Sequence, residues 1–507
     1  MPGRSAFAIL FLCLSLALSA QTPKPSNPGD GKIVNGVIDN LHPTVGLFNN
    51  DGECSATLIG CQTVLTAAHC ICELADGTDL GGAACAARPD LVGPAGKLVF
   101  FQHAGLFTLS RIAVDPAYDA HSGVSDVAIL HLAAPVTNIA PSPLNRVSHP
   151  PLGLTGEIVG FGTTQTTSTD DGIKRRGAAT VAACDPPAAG FVCWNFKDPL
   201  GAPGSNSDTC FGDSGGPLFL SLGGQTVVAG VTSSGTNPNC EPVDNAFDDD
   251  VFSDLAWIQS EGGADLAATS CGTGPQIGGT GTAVFGSTGT LSRSQPQAAS
   301  TVEVPAGTAE LRVALNAADW FENSEALYVR HGAPASSTAF DCKGDAPAGQ
   351  QFCSIQNPAA GTWNILAKRL AGPGGTVQVT ATLIAQQQVA PSPCVPGPST
   401  LCLSGGRFKV EGTFDTGTQH GQAHVVKLTD ETGYFWFFSD TNVEVVVKVL
   451  NACTFNQKFW VFAGGLTNVQ TTLTVTDSST GVVKTYANPQ GTAFQPVQDT
   501  SAFATCP

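Results

Sequence analysis

The sequence predicts an all-β chain made of three β domains in tandem. Three observations carry that reading. Its 507 residues include 58 Gly and 34 Pro, with 42% hydrophobic and 13% charged residues, a mix that favours short strands and turns over long amphipathic helices. From Ile33 to about Gly263 the chain runs as brief apolar segments broken by Gly, Pro and Asn, among them TVGLF, TLIG, VLTAA, KLVFF, DVAILHL, EIVGFG and TVVAGVTSS. Beyond Leu401 apolar and polar residues alternate, as in RFKVEGTF, VEVVVKVL and TTLTVTD, the period of a strand with one face buried. Only FSDLAWIQ, from Phe252 to Gln259, reads as a helix, and it closes the first domain.

Ahead of these domains, Arg4 precedes an apolar run from Ala6 to Leu18 and the small residues Ser19 and Ala20. This is the order of a secretory signal peptide, assigned to residues 1–20. The run is too short to span a bilayer comfortably, and no later segment reaches the required length, so no transmembrane segment is expected. Cys13 follows Phe11 and Leu12 rather than small residues, which argues against a lipid anchor. Residues 21–32, QTPKPSNPGDGK, are polar and rich in turn formers.

Removing Cys13 with the signal leaves 16 of the 17 cysteines, an even number that implies a disulfide framework in a secreted chain. No Cys-x-x-Cys pair occurs, and Cys70-Ile71-Cys72 lacks matching ligands at zinc spacing. No metal or cofactor is expected. A formal charge of −18 excludes nucleic acid as a partner, because phosphate binding needs a basic surface. The second domain, residues 272–385, opens on low-complexity Gly, Thr and Ser before its strands. The Gln/Pro-rich residues 386–400 read as a linker to the third domain, residues 401–507.

Acyl transfer by serine needs a general base beside the hydroxyl, a carboxylate that orients the base, and N–H donors facing the oxyanion. Candidates stand at well-separated points. His69 ends the apolar VLTAAHC, Asp126 opens DVAILHL, and Ser214 lies in the Gly-rich turn CFGDSGGP.

IVNG at Ile33–Gly36, TAAHC at Thr66–Cys70, DVAIL at Asp126–Leu130 and DTCFGDSGGP at Asp208–Pro217 together resemble the chymotrypsin/trypsin-like serine proteases. The resemblance implies a double six-stranded β-barrel over residues 33–263. It makes His69 the base, Asp126 its orienting carboxylate and Ser214 the nucleophile, with the N–H groups of Gly212 and Ser214 as oxyanion hole. Cleavage of Lys32-Ile33 would release an α-amino group to pair with Asp213, which makes residues 21–32 the propeptide of a zymogen. Asp208 would form the floor of a specificity pocket for Lys or Arg, edged by Ser233 and Gly235. Two positions depart from the family. Ser234 stands where an aromatic is usual, and the pocket glycine is replaced by either Ala246 or Asp250.

The same resemblance implies the disulfides Cys54–Cys70, Cys184–Cys193 and Cys210–Cys240. Cys72–Cys85 across a local insertion and a long-range Cys61–Cys271 pair are expected besides. Glu73, Asp76 and Asp79 in that insertion are expected to be solvated, with calcium binding as the alternative. Glu325–Leu370 is similar to the pre-peptidase C-terminal domains of secreted bacterial enzymes, which implies a β-sandwich, a Cys342–Cys353 pair, bacterial export, and a non-catalytic role in secretion, substrate attachment or later removal. The last region resembles β-sandwich modules appended to such proteins. Its aromatics Tyr434, Trp436, Phe438, Phe459 and Trp460 are expected in the core, the alternative being a platform for a polymer or surface ligand. The function expected is a secreted endopeptidase acting on protein or peptide substrates. The alternatives are a binding or adhesion protein whose protease domain has lost activity, and an active protease with non-tryptic specificity.

Overall fold

The computed structural model describes residues 33–506 apart from 51, 75, 166–167, 320–321, 345, 347–348 and 387–393. The expected signal peptide, the propeptide with Lys32, and much of the linker lie outside the described residues. After the short β1 (Val37–Ile38), the first barrel is formed by β2 (Val45–Asn49), β3 (Glu53–Leu58), β4 (Thr63–Thr66), β5 (Leu98–Phe101), β6 (Gly105–Val114) and β7 (Ala128–Leu132). It closes in the order β2-β3-β4-β7-β6-β5. The second comprises β8 (Thr155–Gly160), β9 (Arg175–Ala182), β10 (Phe191–Phe196), β11 (Pro217–Leu222), β12 (Gln225–Gly235) and β13 (Asp244–Asp250). It closes because β8 pairs with both β9 and β11. The double six-stranded barrel expected from the resemblance is therefore present.

Each barrel is held by the apolar runs that marked its strands. Phe48, Leu58, Val64, Phe101 and Leu130 fill the first, and Ile158, Val181, Trp194, Leu218 and Val227 the second; each such side chain contributes roughly 1.5–3 kcal/mol on burial. Ile33 is wholly buried in the second core. Between the barrels, Val45, Leu65, Val127, Phe161, Val231 and Ile258 form the seam that the cleft opens above. The expected helix spans Val251–Gly262, and Asp250 caps it by accepting the Phe252 N–H at 3.0 Å.

The second domain holds β14 (Thr282–Thr290), β15 (Gln297–Val304), β16 (Thr308–Ala317), β17 (Ser324–His331), β18 (Cys342–Gly344), β19 (Gln351–Gln356), β20 (Gly361–Ala371) and β21 (Thr376–Ala385). Two four-stranded sheets, β14-β21-β16-β19 and β15-β20-β17-β18, enclose Leu311, Val313, Val329, Trp363 and Ile365. The third domain also pairs two sheets around one core. Here the expectation for its aromatics needs correction. Phe459 is buried, but Phe438 is 48% exposed, and Tyr434, Trp436 and Trp460 are half-buried. In Thr432–Trp436 the buried positions belong to Gly433 and Phe435, so the alternation places Tyr434 and Trp436 on the outer face.

Beyond the Cys61–Cys271 pair the sequence singled out no contact between the first two domains, yet the structure buries polar residues there. Arg312, Asn316, Gln378, Thr380 and Thr382 lie on the outer face of the β16/β21 pair and are nearly inaccessible. Gln378 Nε2 donates to the Asp39 carbonyl at 2.7 Å and its Oε1 accepts the Lys174 N–H at 3.1 Å. Arg312 donates to the His103 carbonyl at 3.0 Å, the Thr137 carbonyl at 3.1 Å and Asn138 Oδ1 at 2.8 Å. A polar group buried at an interface is costly to strand. Arg312→Ala should therefore weaken the seam by about 2–5 kcal/mol, read by scanning calorimetry as a lower thermal midpoint for the first domain. An unchanged midpoint would show that the seam carries no such energy.

Eight disulfides staple the described chain. Those expected are Cys54–Cys70, Cys61–Cys271, Cys72–Cys85, Cys184–Cys193, Cys210–Cys240 and Cys342–Cys353. Cys394–Cys402 and Cys453–Cys506 were not assigned in advance. Among the described residues no helix is long and apolar enough to cross a membrane.

Candidate active site

A cleft of about 1070 Å³ runs between the barrels, lined by His69, Gly212, Ser214, Ser233, Gly235 and Asp244 among others. β4 delivers His69, which begins the short helix His69–Cys72, and the Cys70–Cys54 bridge ties that turn to β3. Asp126 stands just before β7, after Ser125 in a left-handed conformation. The two meet twice. His69 Nδ1 lies 2.6 Å from Asp126 Oδ2, and the His69 backbone N–H donates to Oδ1 at 2.8 Å.

Asp126 has two further partners. The Ser233 hydroxyl donates to its Oδ2 at 2.6 Å, and its own N–H donates to Asp249 Oδ2 at 2.6 Å. Burial works against charge on Asp126, but the His69 ring and these donors outweigh it and hold the carboxyl below its ordinary range. Burial likewise opposes an imidazolium at His69, yet the Asp126 charge and hydrogen bond win, raising its pKa above the ordinary value. Burial and the adjacent Asp254 push Asp249 well above the ordinary carboxyl range, which disfavours a second charge behind Asp126. Asp254 accepts in turn from the Ser125 hydroxyl at 2.8 Å.

The Ser214 loop is fastened to the first barrel through Ser55. The Ser55 N–H donates to the Ser214 carbonyl at 2.8 Å and its hydroxyl to the Gly212 carbonyl at 2.9 Å. Gly215 permits this approach: its φ is +79°, and a β-carbon there would lie 2.1 Å from Thr66 Oγ1. The Asp213 N–H goes to the Cys210 carbonyl and the Gly215 N–H to the Thr232 carbonyl. Among the described residues no hydrogen bond claims the N–H of Gly212 or Ser214, so both amides of this loop stay available. Such an imidazole, carboxylate and hydroxyl around free amides can carry out acyl transfer.

Asp213 points away from the cleft. Its oxygens accept the Gly162 and Cys210 N–H groups, each at 2.9 Å. Burial raises its pKa to about 7, the two amides and the Arg175 guanidinium opposing only in part.

Of the pocket residues, Gly235 pairs with Ala246 across β12 and β13, whereas Asp250 pairs with Gly230 and caps the helix. Ala246 is thus the pocket position and Asp250 is not. Ser233 lines the cleft but commits its hydroxyl to Asp126. Asp208 is fully buried; its Oδ1 accepts the Trp194 indole N–H at 3.2 Å, and Oδ2 has no hydrogen-bond partner. Asp244, passed over in the sequence, does line the cleft. In the insertion, Asp79 accepts a very short hydrogen bond from the Tyr118 hydroxyl and Asp76 accepts the Thr78 N–H at 3.0 Å. Among the described residues the one cluster of prospective metal ligands is Cys54, His69 and Cys70, whose two sulfurs are joined to each other.

Sequence reasoning missed Asp244, Asp249 and Asp254. Their signal was the acidic run from Asp244 to Asp254, five aspartates in eleven residues that also carry the closing helix.

The Trypsin family model matches residues 35–258. Serine protease SSP1 of Scolopendra subspinipes is 30% identical over 281 residues, covering 50% of this chain and 93% of that protein. Snake venom serine protease KN3 of Trimeresurus stejnegeri is 31% identical over 251 residues, 45% of this chain and 86% of its own. Protein C activator of Agkistrodon piscivorus leucostoma is 30% identical over 231 residues, 44% and 83% respectively. None of these alignments spans more than half of this chain, and the family match ends at residue 258, short of both C-terminal sandwiches. With this cleft between two closed barrels, the chain belongs to the trypsin family of serine proteases.

Proposed function

We propose that the protein is a secreted serine endopeptidase that cleaves protein or peptide substrates after Lys or Arg through an acyl-enzyme. His69 takes the proton from the Ser214 hydroxyl, Asp126 orients His69 and stabilises the imidazolium, and the Gly212 and Ser214 amides receive the oxyanion. Ser233 and Asp249 position Asp126. The observation that carries this reading is the doubly bonded His69–Asp126 pair in one cleft with Ser214 and two unclaimed amides. A fluorophosphonate probe should label Ser214 in the Lys32-cleaved protein and fail to label it in His69→Ala. No labelling of the cleaved wild type would overturn the assignment and favour a binding protein.

Specificity for a cationic side chain before the scissile bond is supported by Asp244 in the cleft lining, with Asp208 near enough to interact with it. Matched substrates with Arg, Lys and Phe before the scissile bond test it. Faster cleavage after Phe would remove the basic specificity while leaving the protease reading intact. Activation by cleavage at Lys32-Ile33 is supported by the buried Asp213, whose burial the two amide hydrogen bonds and the Arg175 charge offset only in part. Secretion fits eight disulfides, which form and persist in oxidising compartments. Bacterial export rests on the likeness of the second domain alone. The half-exposed Tyr434, Trp436 and Trp460 are what would serve a polymer or surface ligand.

A further inference from the structure

The pocket contains more acid than a single substrate cation needs. Asp244 begins β13, and three donors converge on its Oδ1: the Thr236 N–H at 2.7 Å, the Thr236 hydroxyl at 2.8 Å and the Asn237 N–H at 2.8 Å. Its other oxygen lies against the cleft wall, 2.7 Å from where a β-carbon on Gly235 would stand. Gly235 is exposed and lines the cleft with Asp244. The carboxylate thus occupies the space in front of this glycine, which a substrate side chain must enter. Asp208, by contrast, is wholly buried and is absent from the cleft lining.

We propose that Asp244, rather than Asp208, is the carboxylate that meets the Lys or Arg cation of the substrate, with Asp208 buried behind it. The proposal rests on the basic-specificity reading above. Two adjacent carboxylates that are both shut off from water cannot both hold a charge, so one keeps a proton. Asp208 has the poorer means of holding charge: it is fully buried, and one oxygen lacks any donor. Burial and the neighbouring Asp244 raise its pKa well above the ordinary value, the Trp194 and Thr209 hydrogen bonds opposing in part. Asp248, the other acid facing Asp208, is also held protonated by burial. The donors point instead at Asp244. The site then offers one anion to one cation, and the substrate strands no second charge. An uncharged aromatic side chain would instead strip water from Asp244 and return nothing.

The test compares kcat/KM for matched substrates carrying Arg or Gln before the scissile bond, in wild type, Asp244→Asn and Asp208→Asn. The Arg:Gln ratio should fall by about 10²-fold or more in Asp244→Asn, and by a smaller factor in Asp208→Asn, since an amide replaces a group that was already neutral. A ratio is used because a misfolded variant loses both rates together. A larger fall in Asp208→Asn than in Asp244→Asn overturns the proposal. Should Asp244→Asn fail to fold, Asp208→Asn decides alone: a fall of about 10²-fold there assigns the contact to Asp208, and a smaller one supports Asp244. A wild type that prefers Phe defeats the basic-specificity reading itself, a different result from either variant pattern.

Discussion

Asp126→Asn is expected to lower kcat/KM by about 10⁴-fold while leaving the protein folded. Asp126 receives the His69 ring, the His69 backbone N–H and the Ser233 hydroxyl. An amide at this position can turn its NH₂ toward the ring, which selects the wrong tautomer and leaves no lone pair facing Ser214. The variant also reports on charge. In the wild type the Asp126 carboxylate raises His69 above its ordinary pKa. The base works only when neutral, so kcat/KM should fall as pH drops through a value above 6.5. Without the carboxylate, burial is opposed only by the weaker pull of Asp79 and Glu73, and this acid limb should move to lower pH. A 10-fold loss or less, with an unmoved limb, would show that Asp126 does not govern His69.

Blocking activation is expected to have the second large effect. Lys32→Gln protein that stays uncut should be less active than the cleaved enzyme by about 10³-fold, the scale of losing an oxyanion donor. Asp213 supplies the reason. Its folded pKa of about 7 lies above the unfolded carboxyl value, so the folded uncut chain binds the extra proton. Stability is therefore full below about pH 4, falls as pH rises toward 7, and stays low above it. The difference at this one site is on the order of 4 kcal/mol. A new α-ammonium beside Asp213 would favour the ionised carboxylate and reverse the trend. Thermal unfolding at pH 5 and pH 8 should thus separate the uncut variant, which loses stability at pH 8, from the cleaved enzyme. Full activity in the uncut variant, or identical pH trends in both forms, would contradict this account.

Much of the first domain was legible because its signals are local. Short β-branched runs between turn formers mark strands whatever surrounds them, and Gly212 and Gly215 mark a loop whose backbone no other residue could follow. His69, Asp126 and Ser214 could be named because each occupies a short motif. What stayed hidden depends on register and burial. Whether Ala246 or Asp250 faces Gly235 depends on the register of β12 against β13, which no local motif announces. Asp244, Asp249 and Asp254 are of a residue type that ordinarily faces water, and only the fold encloses them. The interdomain seam was invisible for a related reason: Arg312, Gln378 and Thr382 are residues that ordinarily face water, and only the neighbouring domain makes their strand face an interior one. Tyr434 and Trp436 misled in the opposite direction, since aromatic content suggests a core but the two-residue period decides which rings enter it.

The Cys61–Cys271 bridge joins the first barrel to the start of the second domain across 210 residues. All the segments carrying His69, Asp126 and Ser214 lie inside that covalent ring. A cut by a neighbouring enzyme molecule at any single bond within it opens the ring without releasing a fragment. Damage of that kind would pass unseen under non-reducing electrophoresis and emerge only when a thiol is added, so an ageing preparation can lose activity while still running as one intact band.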